Sequence, residues 1–311
     1  MKTEAIVVGK DTEYPLNGLL TLPDELSTPV PAVVFVHGSG SSNMDEKVMK
    51  LTPFKDLAEG LAAHGIASIR YDKRSFAHGR KMLRDKGHPL TVKEETIEDA
   101  ILATCLLRQD MRIDREKIFI VGHSMGGMLA PRIDAQGGDY RGMVLMAGTP
   151  RKLETIMIEQ TEGIAAELPV PLRLLVGNQA EKLKRTFANL YELSDEQARK
   201  KKIGGGITLY YFKEMGQYPA EDYLKAAQKP VLILQGASDV QVKADVDFAA
   251  YRELLQGKPN VTFRLYEGLN HAFVTAFSTK ISKATKEFSK ERHIGADVIV
   301  DLANWILNNC R

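Results

Sequence analysis

Short apolar runs recur along the chain, separated by stretches in which apolar residues return every third or fourth position. Residues 32–36 (Ala-Val-Val-Phe-Val), 118–121 (Ile-Phe-Ile-Val) and 230–235 (Pro-Val-Leu-Ile-Leu-Gln) are apolar without alternation, as strands buried on both faces of a parallel sheet are. Residues 66–71, 142–147 and 261–266 read the same way, and 5–8 and 16–22 predict two more strands around a polar turn. Helical spacing runs through Phe54, Leu57, Ala58, Leu61 and Ala62 and stops at Gly65. A second helix follows the capping-box pattern Thr91-Val-Lys-Glu94, with its apolar positions at Ile97, Ile101, Leu102, Cys105 and Leu106. A third spans 296–307, with Val298, Ile299, Leu302, Trp305 and Ile306 on or near one face. The polar stretch 75–90 predicts a loop carrying surface histidines His78 and His88.

Strand and helix therefore alternate, which predicts an α/β fold with helices on both faces of a mostly parallel sheet. The rhythm breaks from 151 to 229. There the pattern is helical with interruptions, at 153–168 and 172–193, then a capping box at Ser194-Asp-Glu-Gln197, then Gly204-Gly-Gly206 as a turn or hinge. The expected organisation is a core formed by 1–150 and 230–311, with 151–229 inserted as a mostly helical cap.

Composition narrows the class. With 311 residues, 44% of them hydrophobic, the chain can bury a core without a disulfide or structural metal. A net charge of +2 makes no electrostatic case for nucleic acid or an acidic membrane. The basic run Arg199-Lys-Lys-Lys202 is expected to be a solvated helix end, where the helix dipole favours cations. No stretch approaches the roughly 18 apolar residues of a membrane span. Met1-Lys-Thr-Glu-Ala5 lacks the apolar region of a signal peptide, so a cytoplasmic protein is expected. Cys105 is expected as a small core residue. Neither it nor Cys310 has metal-ligand spacing, and the reading requires no metal and no cofactor.

The chemistry concentrates where the 118–121 strand ends in Gly122-His-Ser-Met-Gly126. A serine at a tight strand-to-helix turn projects its hydroxyl above the sheet, and glycines on either side remove side chains that would collide there. The N–H of Met125, at the start of the following helix, can face a developing oxyanion. His37-Gly-Ser-Gly40 ends another strand. Ser39 is its expected second oxyanion donor, with Gly40 as the alternative, and His37 is expected to brace the loop. Asp72-Lys73-Arg74 is expected to form a structural ion-pair and hydrogen-bond cluster. A weakly nucleophilic serine needs a base and the base needs an orienting acid. Ser124, Asp239 and His271 each follow a predicted strand in the chain order this turn type uses. Asp245, Asp247 and Glu267 compete with Asp239, the first two in a helix-like segment that points off the strand end.

These pieces, with Tyr71-Asp-Lys-Arg74, Gly236-Ala-Ser-Asp239 and Leu269-Asn-His271, resemble the α/β-hydrolases over the whole chain. The resemblance is greatest to bacterial carboxylesterases of the branch related to dienelactone hydrolases, cinnamoyl esterases and prolyl-oligopeptidase-type hydrolases. It implies an eight-stranded, mostly parallel sheet, a cap inserted after the 142–147 strand, and a serine carboxylesterase of small acyl or aryl esters. Dienelactone hydrolases use a cysteine where this chain has Ser124. Ser75 stands where relatives often carry glycine, which is expected to alter a loop only. A serine peptidase or acyl-peptide hydrolase is the alternative within enzymes, and a non-catalytic binding protein on the same scaffold the alternative outside them.

Overall fold

The computed structural model describes residues 1–84, 90–204 and 206–310. In chain order the strands are β1 (Lys2–Val8), β2 (Leu16–Leu22), β3 (Val30–Val36), β4 (Ala67–Tyr71), β5 (Ile113–His123), β6 (Gly142–Met146), β7 (Lys202–Gly204), β8 (Ile207–Thr208), β9 (Val231–Gly236) and β10 (Val261–Tyr266). The helices are α1 (Pro53–Ala63), α2 (Arg74–Arg84), α3 (Glu98–Gln109), α4 (Met125–Ile133), α5 (Leu153–Glu167), α6 (Val170–Phe187), α7 (Asp195–Lys200), α8 (Leu209–Gln217), α9 (Ala220–Ala226), α10 (Ala249–Leu254), α11 (Ala284–Glu287) and α12 (Ala296–Asn308). Eight strands form one sheet in the order β1-β2-β4-β3-β5-β6-β9-β10, and β7 and β8 pair by themselves. β1 and β2 run antiparallel to their neighbours, and β4 through β10 along the sheet are parallel.

Side chains alternate across each strand, so one strand feeds two cores. Val33 and Phe35 of β3 join Phe54 and Leu57 of α1 and Val298 and Leu302 of α12. Val34 and Val36 face the other way, into a core with Ala100 and Ala103 of α3 and Leu129 of α4. The helices between β6 and β9 extend this second core, which includes Phe187, Leu190, Phe212 and Leu224. Parallel register brings Val36 beside Gly122, His123 beside Met146, Met146 beside Leu234 and Gly236 beside Tyr266. The loops after β3, β5, β6, β9 and β10 therefore leave along one edge, where open α/β sheets bind their ligands.

Three expectations need correction. Residues 74–84 form α2, not a loop. Its first turn closes on the Lys73 carbonyl, which accepts from the N–H of Phe76 and Ala77, so tertiary anchoring supplies what apolar periodicity does not. Cys105 is exposed. The sheet-facing side of α3 is Ala100, Ala103, Thr104 and Leu107, small residues that let the helix approach closely and leave Cys105 on the outer side. The helix expected at 172–193 ends earlier, at Phe187. The capping box at Ser194 is present. His78 is surface-placed, its Nε2 donating to the Pro15 carbonyl at 2.7 Å. His88 lies outside the described residues, as does Gly205, so of the glycine triplet only Gly204 and Gly206 are placed, flanking the β7–β8 turn. Among the described residues no helix is long and apolar enough to cross a membrane.

Candidate active site

β5 runs straight to His123, and the chain reverses at Ser124 into α4. Ser124 has φ +53° and ψ −117°, a conformation that non-glycine residues adopt only when their surroundings impose it. The surroundings are tight. A Cβ on Gly122 would lie 2.2 Å from the Gly126 carbonyl oxygen, and one on Gly126 would lie 2.1 Å from that of Val36. The Ser124 N–H donates to the Met146 carbonyl at 2.8 Å, tying the turn to the end of β6.

His271 and Asp239 meet across the ends of β9 and β10. His271 Nδ1 donates to Asp239 Oδ2 at 2.7 Å. The same carboxylate accepts from Gln235 Nε2 at 3.0 Å and from the N–H groups of Gln241 and Val242 at 2.8 and 3.0 Å. It is thus buried, fully hydrogen-bonded and fixed in orientation. The competing acids are placed elsewhere: Asp245 and Glu267 are exposed, and Asp247 is bound to Thr149 Oγ1 and Arg151 Nε. Among the described residues no hydrogen bond joins Ser124 Oγ to the His271 ring. Such bonds are commonly long before substrate binds.

The loop after β3 is clamped at Gly38. Its N–H donates to Glu46 Oε1 at 2.7 Å and its carbonyl accepts from Lys73 Nζ at 2.9 Å. This places Ser39 in the wall of the same cavity as Ser124 and Met125. The N–H of Met125, in the first turn of α4, has no intrahelical acceptor. His37 braces the loop as expected, donating from Nε2 to the Asn43 carbonyl at 3.0 Å. Burial lowers its pKa to about 4, so it is neutral at physiological pH.

Of Asp72, Lys73 and Arg74, the two cations enter buried ion pairs, Arg74 gripping Asp99 and Lys73 lying 3.5 Å from Glu95, whereas Asp72 stands apart and accepts from the Met44 N–H at 2.8 Å. The Lys73–Glu95 pair reaches the cavity, because Tyr211 of α8 donates to the other Glu95 oxygen at 2.8 Å.

Sequence reasoning missed Glu46 and gave His123 no role. His123 Nε2 donates to the His271 carbonyl at 2.9 Å, and its Nδ1 lies 3.0 Å from Glu46 Oε2. The latter pair is off the line of a good hydrogen bond, so the contact is chiefly electrostatic. Burial disfavours the His123 cation, yet the Glu46 carboxylate outweighs this and holds the histidine pKa above its ordinary value. Burial likewise disfavours the Glu46 anion, and His123 reverses the effect and lowers its pKa. Through this pair the Gly38 loop and the His271 loop share one support. The position of His123 inside the Gly-x-Ser-x-Gly motif was the available signal. Glu46 lies in a loop with no periodicity and offered none.

The edge opens into a cavity of about 870 Å³. Its floor is Ser124 and Met125, and α5 and α8 supply apolar wall from Ile156, Met157 and Phe212.

A sequence model of the family described as serine aminopeptidase, S33, matches residues 27–275. The chain belongs to this family of α/β-hydrolases. It is 33% identical over 299 residues to esterase EstD of Thermotoga maritima, covering 94% of this chain and 65% of that protein, so the chain spans a little under two thirds of that relative's length. Among solved structures it resembles Est1E from Butyrivibrio proteoclasticus, with a TM-score of 0.58, 15% identity and 98% of each chain covered. The Pyrococcus furiosus esterase Pf2001 gives a TM-score of 0.55 at 17% identity, over 98% of this chain and 91% of that one. Dipeptidyl peptidase 4 of Porphyromonas gingivalis gives 0.57 at 16% identity, over 99% of this chain and 35% of that one. At these identities the structural likenesses establish the α/β-hydrolase fold, with its eight-stranded, mostly parallel sheet.

Proposed function

We propose that the protein is a serine carboxylesterase of small acyl or aryl esters, working through an acyl-enzyme. The observation that carries the proposal is the strained Ser124 opening into an apolar cavity at the sheet edge where His271 is already paired with Asp239. Ser124 Oγ attacks the ester carbonyl while His271 Nε2 takes its proton. Asp239 holds Nδ1–H and stabilises the imidazolium. The N–H groups of Met125 and Ser39 receive the oxyanion of the tetrahedral intermediate. Collapse of that intermediate expels the alcohol, which takes the proton from His271. Water then repeats the sequence on the acyl-enzyme and releases the acid. On this reading residues 151–229 act as a cap that shapes the acyl pocket.

The likeness to EstD supports the ester reading. The family description supports a second one, an aminopeptidase or acyl-peptide hydrolase. A panel of p-nitrophenyl acyl esters against aminoacyl p-nitroanilides separates the two. Turnover of the esters is expected, and turnover of the anilides alone would replace the esterase with a peptidase.

A further inference from the structure

The basic run Arg199-Lys-Lys-Lys202 is not simply a solvated helix end. It crosses from the last turn of α7 into β7, and its two outer members, Arg199 and Lys202, line the same cavity as Ser124. Both side chains are exposed, so they stand at its open side. Among the described residues neither has a carboxylate within ion-pair distance. The acids of α7 are engaged elsewhere, Glu196 with Lys200 at 2.6 Å and Asp195 with Lys213 at 2.7 Å.

The Arg199 guanidinium lies 3.5 Å from the centre of the Tyr210 ring. Stacking of this kind fixes the guanidinium plane while its N–H edges remain able to bind a carboxylate. Lys202 pairs with Thr208 across the β7–β8 hairpin, which fixes its backbone. Among the described lining residues the only acid is Glu95, and its charge is answered inside the protein by Lys73 and Tyr211. The cavity thus joins an apolar wall near Ser124 to two unanswered cations at its open side.

We infer that Arg199 and Lys202 form an anion subsite, and that the preferred esters carry a carboxylate remote from the scissile bond, joined to it by an apolar segment. This rests on the reading of Ser124 as the nucleophile of an esterase. An exposed subsite is screened by salt, so the preference weakens as ionic strength rises.

The test uses two matched pairs of esters. Mono-p-nitrophenyl suberate against p-nitrophenyl octanoate places the charge on the acyl side. 4-(Carboxymethyl)phenyl butyrate against 4-methylphenyl butyrate places it on the alcohol side. At low salt kcat/KM is expected to favour the anionic member of one pair by about tenfold or more, and which pair it is identifies the side that reaches the subsite. Added sodium chloride reduces the ratio. The double variant Arg199→Glu/Lys202→Glu lowers the ratio in that pair at least tenfold, and Arg199→Gln/Lys202→Gln lowers it less, in the same direction. Lys201→Glu changes the charge beside the cavity without lining it and keeps the ratio within about threefold. Hydrolysis of the neutral esters with no preference in either pair, or a ratio unmoved by the double variants, overturns the subsite alone. No hydrolysis of any of the four esters overturns the esterase reading, and the subsite with it.

Discussion

A serine hydroxyl is a weak nucleophile near neutral pH, so on the proposed mechanism Ser124 depends on His271 as proton acceptor and on Asp239 to orient it. Residues that act as one unit lose function together. Ser124→Ala and His271→Ala are each expected to lower kcat for a p-nitrophenyl ester by roughly 10⁴–10⁶, with the double variant little worse than either. Asp239→Asn is expected to cost on the order of 10⁴. Near-full activity in Asp239→Asn would move the acid role to another carboxylate. His37 makes a separate prediction about stability. Its pKa falls from an ordinary 6.5 to about 4 on burial. Between those values the unfolded chain binds a proton that the folded protein does not, so stability is present above pH 6.5 and is lost as pH falls toward 4. Urea unfolding at pH 7 and pH 4.5 should show His37→Gln losing less stability over this interval than the native protein, by about 2 kcal/mol. Equal losses would show that His37 does not carry this linkage.

Tyr211 joins two elements: it sits on α8, lines the cavity, and donates to Glu95 in the core. Buried Arg132 of α4 also pairs with Glu214 of α8, so this wall of the cavity is tied to the helix that follows Ser124. Tyr211→Ala is therefore expected to change relative kcat/KM between short-chain and long-chain esters by about 1–3 kcal/mol, the scale of gained or lost apolar pocket contacts. Equal selectivity in native and variant protein would remove α8 from the account of specificity. The same elements show what was legible in the sequence. The central strands read plainly because burial on both faces makes them continuous apolar runs, and α1 and α12 read plainly because each buries one wide apolar stripe. α2 did not, because its register is set by the Lys73 carbonyl and not by its own apolar pattern. In α3 only Cys105 was misplaced: Ile97 is in the core and Ile101, Leu102 and Leu106 pack against it, while small residues make the closest approach to the sheet.

Across the whole molecule, the parallel register of β3, β5, β6, β9 and β10 brings Ser39, Ser124, Asp239 and His271 to one edge from positions far apart in the chain. Each of these follows a strand that was itself legible, so the candidate site could be read before any coordinates. Glu46, and the exposed cations Arg199 and Lys202 at the cavity wall, could not. Their placement depends on how a loop and a hairpin fold back over the sheet edge, and no local pattern encodes that distance. The account as a whole stands on Ser124 being an activated nucleophile. Treating the folded protein with a small fluorophosphonate and locating the adduct by peptide mass spectrometry tests this directly. The account predicts stoichiometric phosphonylation of Ser124, abolished by Ser124→Ala and by prior unfolding. An unmodified Ser124 in folded protein that also turns over none of the esters would contradict it and leave a non-catalytic binding protein on a hydrolase scaffold.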